Sequence, residues 1–323
     1  MILAGDIGGT KTNLAFFSDA LETVAAQSFP SREHAGLGEI LERFLSDSKL
    51  TPQKAAFGVA GPVRDGRCKA TNLPWIVDSA ELAKQLNLEG VGLINDLEAN
   101  AFGIAALQPH DFAVLNEGIP DPEGNGAVIS AGTGLGEAGL FRLGNGLLPF
   151  ACEGGHAGFT PRNDLEMELL RYLFTFHEYP DVEHVLSGPG LHNIYNFLRD
   201  TGRGQEPDWM TQEMQHNDPS AAISRAALEG QCPMAVEALR MFVAIYGTEA
   251  ANLALKIMAT GGVYVGGGIA PKILPKLQDG LFMEAFRTTG VLRRVLENIP
   301  VRVILNDKTA LLGAACYARD RKN

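Results

Sequence analysis

Three observations predict an α/β fold in two lobes. The chain has 323 residues, more than the roughly 250 to 300 at which one hydrophobic core stops growing. Short apolar runs alternate with segments of helical spacing. A plan of strand, glycine turn and strand occurs twice, as DIGGTKTNLAFF from Asp6 and SAGTGLGEAGLF from Ser130.

In chain order, apolar runs at 2–7 and 12–17 flank Gly8, Gly9 and Thr10 and read as a strand, a turn and an antiparallel strand. Residues 37–45 have helical spacing, 55–60 form a short buried strand, and 79–86 are helical again. VGLIND is a strand that hands over to the helix LEANAFGIAAL, with Asp96 at its start and a good N-cap in its own right. PDPEGNG, residues 120–126, has the proline, glycine and acid content of a surface connection. The pattern then restarts with the second hairpin, so a duplicated architecture is expected. Helical patterns follow at 221–228 and 235–258. GGVYVGGGIAP reads as a buried strand running into a glycine-rich turn. A last helix is expected over 308–319, with Asp307 as its N-cap.

Composition narrows the function. Apolar residues make up 46% and charged residues 20% of the chain, as in a packed globule. The formal charge is −11 with no basic run, which argues against a nucleic-acid partner. Cys68, Cys152, Cys232 and Cys316 lie far apart without a C-x-x-C pair, so they are expected to be reduced and mostly buried. Acidic Asp6 and a short apolar start do not make an export signal, and the longest apolar run, 257–271, is too short and glycine-rich to span a bilayer. A cytoplasmic protein without a membrane partner is expected.

Glycines cluster after three apolar strands, at 5–10, 132–136 and 261–268. Turns without Cβ atoms let successive amides approach an anion, the concavity that binds phosphate. Two known phosphate motifs fail. Lys11 follows Thr10 rather than Gly and leads into a strand, unlike a P-loop. The first loop also lacks the G-x-G-x-x-G spacing of dinucleotide folds. Asp6 beside such a loop would repel phosphates unless a cation intervened, and Mg²⁺ bound by one carboxylate plus phosphates fits that need.

A second set of residues suits a polyol. Asn95 and Asp96 fall where a strand becomes a helix, the crevice position of α/β sheets. Glu153 and His156 in CEGGH are separated by Gly154 and Gly155, which favours a loop over a helical metal pair. Glu183 precedes a helix start at Ser187, Gly188 and Pro189. Together these groups offer the mixed donors and acceptors that sugar hydroxyls require.

DIGGTKTN, LINDLEA, SAGTGLGEA, CEGGHAGF, VEHVLSGPGL and GGVYVGGGIAP, in this order over nearly the whole chain, strongly resemble the bacterial glucokinase family of the hexokinase and actin-like ATPase superfamily. The resemblance implies a two-lobed actin-like (ribonuclease H-like) fold with the active site in the inter-lobe cleft. It implies a smaller α/β lobe from 1–107 with 306–323 and a larger α+β lobe from 108–305. It implies ATP-dependent phosphorylation of glucose to glucose 6-phosphate at the head of glycolysis, with Asp96 as catalytic base and Asn95, Glu153, His156 and Glu183 holding glucose. ATP would meet Gly8, Gly9 and Thr10 at one phosphate loop, Gly132, Thr133 and Gly134 at another, and Gly266, Gly267 and Gly268 at the adenosine, with Asp6 placing Mg²⁺. Lys11 and Thr12 depart from the small polar residues expected of some relatives. Asn72 in TNLPW occupies a sugar-loop position. The cysteine-rich zinc motif of related repressors and sugar kinases is missing, so no structural zinc is expected, and a homodimer is compatible with the family. The competing readings are a kinase for another hexose and an actin-like or chaperone-like ATPase module without sugar kinase activity.

Overall fold

In the first sheet, two-residue periodicity decides which side chains face which layer. The computed structural model describes residues 1–71, 73–144, 146–288 and 290–321; Asn72 lies outside the described residues. The chain divides into two units, one of 1–109, 143–151 and 306–323, the other of 110–142 and 152–305.

The first unit is built on β1 (Ile2–Ile7), β2 (Lys11–Phe17), β3 (Thr23–Pro30) and β4 (Lys54–Val59). A small separate sheet of β5 (Val63–Arg64), β6 (Arg67–Lys69) and β7 (Ile76–Asp78) follows, then β8 (Gly92–Asn95). The main sheet runs β3-β2-β1-β4-β8, with β1, β4 and β8 parallel and the β1–β2–β3 meander antiparallel. Leu3, Ile7, Leu14, Phe16, Phe57 and Val59 point to one face, where helices Leu37–Ser48 and Ser79–Leu86 pack with Ile40, Leu41, Phe44, Leu82 and Leu86. Ile2, Ala4, Ala15, Phe17 and Ala56 point to the other, against Leu311, Ala314, Ala315 and Ala318 of the last helix, Thr309–Asp320. Asp6 and Asn13 continue this second set, so both emerge at its end beside the helix Asp96–Gly103.

That helix is held unusually close. A Cβ on Gly58 would stand 2.7 Å from that of Ala99, and a Cβ on Gly313 would stand 1.6 Å from the carbonyl oxygen of Ala99. Glycine at these two positions therefore lets the helix carrying Asp96 lie against both the sheet and the last helix.

The second unit contains β9 (Phe112–Asn116), β10 (Gly126–Ala131), β11 (Leu135–Leu143), β13 (Gly262–Gly266) and β14 (Val301–Ile304); β12 (Gly146–Cys152) follows β11 in the chain. Strands β11-β10-β13-β14 repeat the antiparallel, parallel, parallel pattern of β2-β1-β4-β8, and β9 adds an antiparallel edge. The expected duplication is thus present as topology. A helix of 25 residues, Pro233–Ile257, lines this sheet and buries an apolar face interrupted by Glu249. Its buried Tyr246 hydroxyl accepts from the Ala131 amide at 3.2 Å and lies 3.4 Å from the Ile129 carbonyl and 3.3 Å from that of Gly266. One side chain thereby ties together the ends of β10 and β13, from which two of the glycine loops depart.

Several expected boundaries move. The N-cap of the helix after β8 is Asn95, not Asp96: the Asn95 Oδ1 accepts from the Leu97 amide at 2.8 Å, and the Glu98 carboxylate accepts from the Asn95 amide at 3.1 Å, completing a capping box. The helix stops at Gly103 and gives way to a single 3₁₀ turn, Ile104–Ala106, ahead of Pro109. The last helix begins at Thr309 with Lys308 at the cap position and no side-chain cap bond; Asp307 is not the cap, because the Asn306 Oδ1 instead accepts from the Lys308 amide at 2.9 Å. Helix Leu37–Ser48 runs one turn beyond its expected end, with Lys49 left-handed after it. Cys68, Cys232 and Cys316 are buried, Cys152 is partly so, and all four are free thiols.

Candidate active site

In the first unit, the capping box releases Asp96 from structural duty. Its carboxyl is pushed up to about 6, chiefly by burial and secondly by the charge of Asp6, against the lowering effect of the Leu97 amide. Asp6 itself stands above the usual carboxylate range because burial outweighs the 3.2 Å bond donated by Asn13 Nδ2. Two desolvated carboxylates, from the ends of β1 and β8, thus feel one another electrostatically. Asn95 is engaged at both ends, since its Nδ2 also donates to the Gly61 carbonyl at 3.0 Å.

The first glycine loop is a hairpin turn closed by the Gly8 amide donating to the Lys11 carbonyl at 2.9 Å. Ser31 braces it: its hydroxyl donates to the Gly8 carbonyl at 2.8 Å and its amide to the Thr10 carbonyl at 3.0 Å. Thr12 is fully buried with its Oγ1 3.0 Å from Ser31 Oγ, whereas Lys11 is exposed. Thr12 is therefore part of the scaffold.

In the second unit, the Gly132 amide donates to the Gly134 carbonyl and the Gly188 amide to the Gly132 carbonyl, both at 2.8 Å. Glu183 joins this loop to CEGGH: its Oε2 accepts from the Leu135 amide at 2.8 Å, and its own amide donates to the Gly155 carbonyl at 2.9 Å. Gly154–His156 forms a short 3₁₀ turn rather than a helix, which leaves Glu153 and His156 exposed on one side of it. The His156 Nδ1 donates to Asp181 Oδ2 at 2.9 Å. That bond, with the nearby charges of Glu183, Asp181 and Glu153, raises the imidazole above its ordinary value despite some desolvation. Asp181 is buried and also accepts from the His184 amide at 3.1 Å.

The structure therefore gathers Asp6, Asn95 and Asp96 in the first unit, and the 132–134 loop, Glu153, His156 and Glu183 in the second. Gly266 ends β13, where Tyr246 reaches its carbonyl, and Gly267 and Gly268 follow. Sequence reasoning missed Asp181, Ser31 and Tyr246. Each reaches the site across 19 or more residues of separation, and no local spacing marks it.

A family model described as glucokinase matches residues 3–321. A glucokinase of Nostoc punctiforme is 43% identical over 338 aligned positions, covering 99% of each chain. The crystal structure of a glucokinase from an Antarctic psychrotroph superposes with a TM-score of 0.86 at 30% identity over 99% of both chains. A ROK family glucokinase from Streptomyces griseus, solved with glucose and AMPPNP, has a TM-score of 0.69 at 21% identity over 99% of both chains, a likeness of fold. The α/β architecture is thus the two-lobed, actin-like one of sugar kinases, and the chain belongs to the glucokinase family.

Proposed function

We propose that Asp96 is the general base for the reaction of this family, ATP-dependent phosphorylation of glucose at its 6-hydroxyl. The observation that carries the assignment is a half-buried, desolvated carboxyl raised to about 6 at a strand end whose helix is already capped by its neighbour. Such a group is ionised at neutral pH yet basic enough to accept the hydroxyl proton as that oxygen attacks the γ-phosphorus, a contribution of about 10² to 10⁴ in rate. Alignment and charge neutralisation supply most of the remainder.

Hydrogen-bond capacity assigns the other groups. His156 is held by Asp181 at Nδ1 and keeps Nε2 for a sugar hydroxyl. Glu183 spends Oε2 on Leu135 and keeps Oε1. Glu153 is exposed and unrestrained by a cap bond. Asn95 caps the helix through Oδ1 and donates through Nδ2 to the Gly61 carbonyl and the Asp96 carboxyl, so it would reach a sugar hydroxyl only by exchanging one of these bonds. Because the Gly8 and Gly132 amides close their own turns, phosphate contacts fall to Gly9, Thr10, Thr133 and Gly134, with Gly266, Gly267 and Gly268 beside the adenosine.

Asp6 fits a Mg²⁺ ion carried in with ATP. It is a half-buried, desolvated carboxyl with an amide partner and, among the described residues, no cationic hydrogen-bond partner. No group of three or more His, Cys, Asp or Glu side chains placed to hold a metal occurs among the described residues, so the ion would rely on phosphate and water for its other ligands. When bound, it neutralises phosphate charge. A cytoplasmic place at the entry of glucose into glycolysis follows from this reading; no helix among the described residues is long and apolar enough to cross a membrane.

A coupled ADP-release assay over a hexose panel tests the reading, with glucose expected to give the highest kcat/KM. Glu153→Gln and His156→Ala should each raise KM for glucose at least tenfold while leaving KM for ATP within about twofold. Equal increases in both constants would refute the sugar assignment.

A further inference from the structure

One buried acid lies outside the chemistry described so far. Glu137, on β11 just past the second glycine loop, is 1% exposed. Its carboxyl lies directly against the turn that presents Glu153 and His156: a Cβ built on Gly154 would stand 1.8 Å from Glu137 Oε2 and 2.7 Å from its Cδ. The same residue meets that segment through its backbone, where Cys152 Sγ donates to the Glu137 carbonyl at 3.3 Å. The contact is continuous from Cys152 to Gly154.

We infer that Glu137 is a positioning residue for the sugar-binding turn, its side chain seated beneath Gly154 so that it sets where Glu153 and His156 stand. The inference rests on the reading of that turn as the glucose contact.

The surroundings show in which state Glu137 does this. Glu249, 7% exposed on the long helix Pro233–Ile257, is the other buried acid whose charge reaches it. Glu249 has partners of its own: Asn252 Nδ2 donates to Oε2 at 2.9 Å, and Lys256 Nζ stands 3.6 Å from Oε1. Glu137 Oε1 is buried without a hydrogen-bond partner, as is Glu249 Oε1, which has only the ion pair with Lys256. The remaining ionisable groups that face it are Lys256 and the Tyr246 hydroxyl from the same helix and the Cys152 thiol from the turn. Two buried acids beside one cation repel one another, and the acid without the cation takes up a proton more readily. Glu249 has the cation and the amide, whereas at Glu137 burial followed by repulsion from Glu249 pushes the carboxyl up to about 7, so that it is largely neutral at pH 6 and largely charged at pH 8. A charged carboxylate pressed on Gly154 would demand water where the packing leaves none, and the turn would have to shift.

The test is the pH dependence of KM for glucose and for ATP, measured separately in wild type, Glu137→Gln and Glu249→Gln. With a carboxyl near 7, the neutral fraction falls about tenfold from pH 6 to pH 8, so KM for glucose in the wild type should rise by up to about tenfold. Glu137→Gln keeps the shape and cannot ionise. Its KM for glucose at pH 6 should match the wild type within twofold, and the rise that remains at pH 8 should be less than threefold. Glu249→Gln removes the repelling charge and should move the rise to lower pH. KM for ATP should stay flat in all three. A wild-type KM for glucose that does not rise would overturn the proposal. So would a rise that Glu137→Gln retains in full, which would assign the titration to another group such as His156. If His156→Ala leaves KM for glucose unchanged, the sugar reading of the turn falls, and this inference falls with it. A pH effect retained by Glu137→Gln while His156→Ala still raises KM would overturn the role of Glu137 alone.

Discussion

Replacing Asp96 with Asn should make the protein more stable as it makes the enzyme slow. The folded carboxyl ionises near 6 rather than at the ordinary 3.8, so between these values the folded state holds a proton that the unfolded chain has released. Stability therefore falls as pH rises through this window and is level above it. The full difference is at most about 3 kcal/mol at 1.36 kcal/mol per pH unit. Asn keeps the shape, retains an oxygen for the Leu97 amide, and carries none of this cost. Urea unfolding should show Asp96→Asn stabilised by up to about 3 kcal/mol at pH 7.5 and by about half that at pH 5, where the folded wild type is largely protonated. In the coupled assay, kcat should drop by at least about 10²-fold, and the acid limb of the wild-type profile should have its midpoint near 6. A stability gain that is the same at both pH values would refute the burial argument. A variant that keeps most of its kcat would remove Asp96 as base.

Asp6→Asn removes the second cause of the raised Asp96 carboxyl. The acid limb should therefore move to lower pH, while the Mg²⁺ concentration needed for half-maximal rate rises; an unmoved limb would show that burial alone sets it. EDTA should abolish activity and added Mg²⁺ restore it, whereas stoichiometric tightly bound zinc in active protein would contradict the metal assignment. Asp181→Asn takes away the main support of the His156 imidazole, so the His156 titration followed by NMR should move to lower pH and KM for glucose should rise severalfold with KM for ATP unchanged. Gly313→Ala would place a methyl 1.6 Å from the Ala99 carbonyl. It should cost several kcal/mol or shift the Asp96 helix enough to lower kcat, as overpacking does; an unaltered enzyme would mean that the close helix approach does not position the base.

Local patterning was sufficient for the two hairpins, β4, β8, β13 and the helices near 37–48, 79–86, 219–228 and 233–257, whereas β3, the β5–β7 sheet, β9, β14 and the helix Asp164–Leu173 carried no expectation. Alternation in ILAGDI and KTNLAFF separates the two faces of the first sheet, and the glycines between them mark the hairpin. Glycine and acid residues in DIGGT, LINDLE, SAGTGLG and CEGGH were legible because turns and strand ends demand particular residue types within a few positions. The cap of the Asp96 helix was misread because Asn95 and Asp96 are both good cap residues. The choice between them depends on strand β8 running through Asn95 and on Glu98 folding back to the Asn95 amide.

What tertiary structure alone decided is the environment of each group. Asp96 is raised chiefly because the fold desolvates it, with Gly58 and Gly313 admitting its helix closely, and secondly because the sheet places Asp6 within reach of its charge. His156 is raised by Asp181, 25 residues away, and Tyr246 ties two loops from a helix more than a hundred residues beyond β10. Glu137 reads in sequence as an ordinary charge on a strand, yet its partners are a glycine and a glutamate that the chain brings to it only on folding. Residue type and spacing carry short-range preferences, whereas desolvation and charge coupling depend on which distant atoms exclude water, and that is fixed only when the core closes.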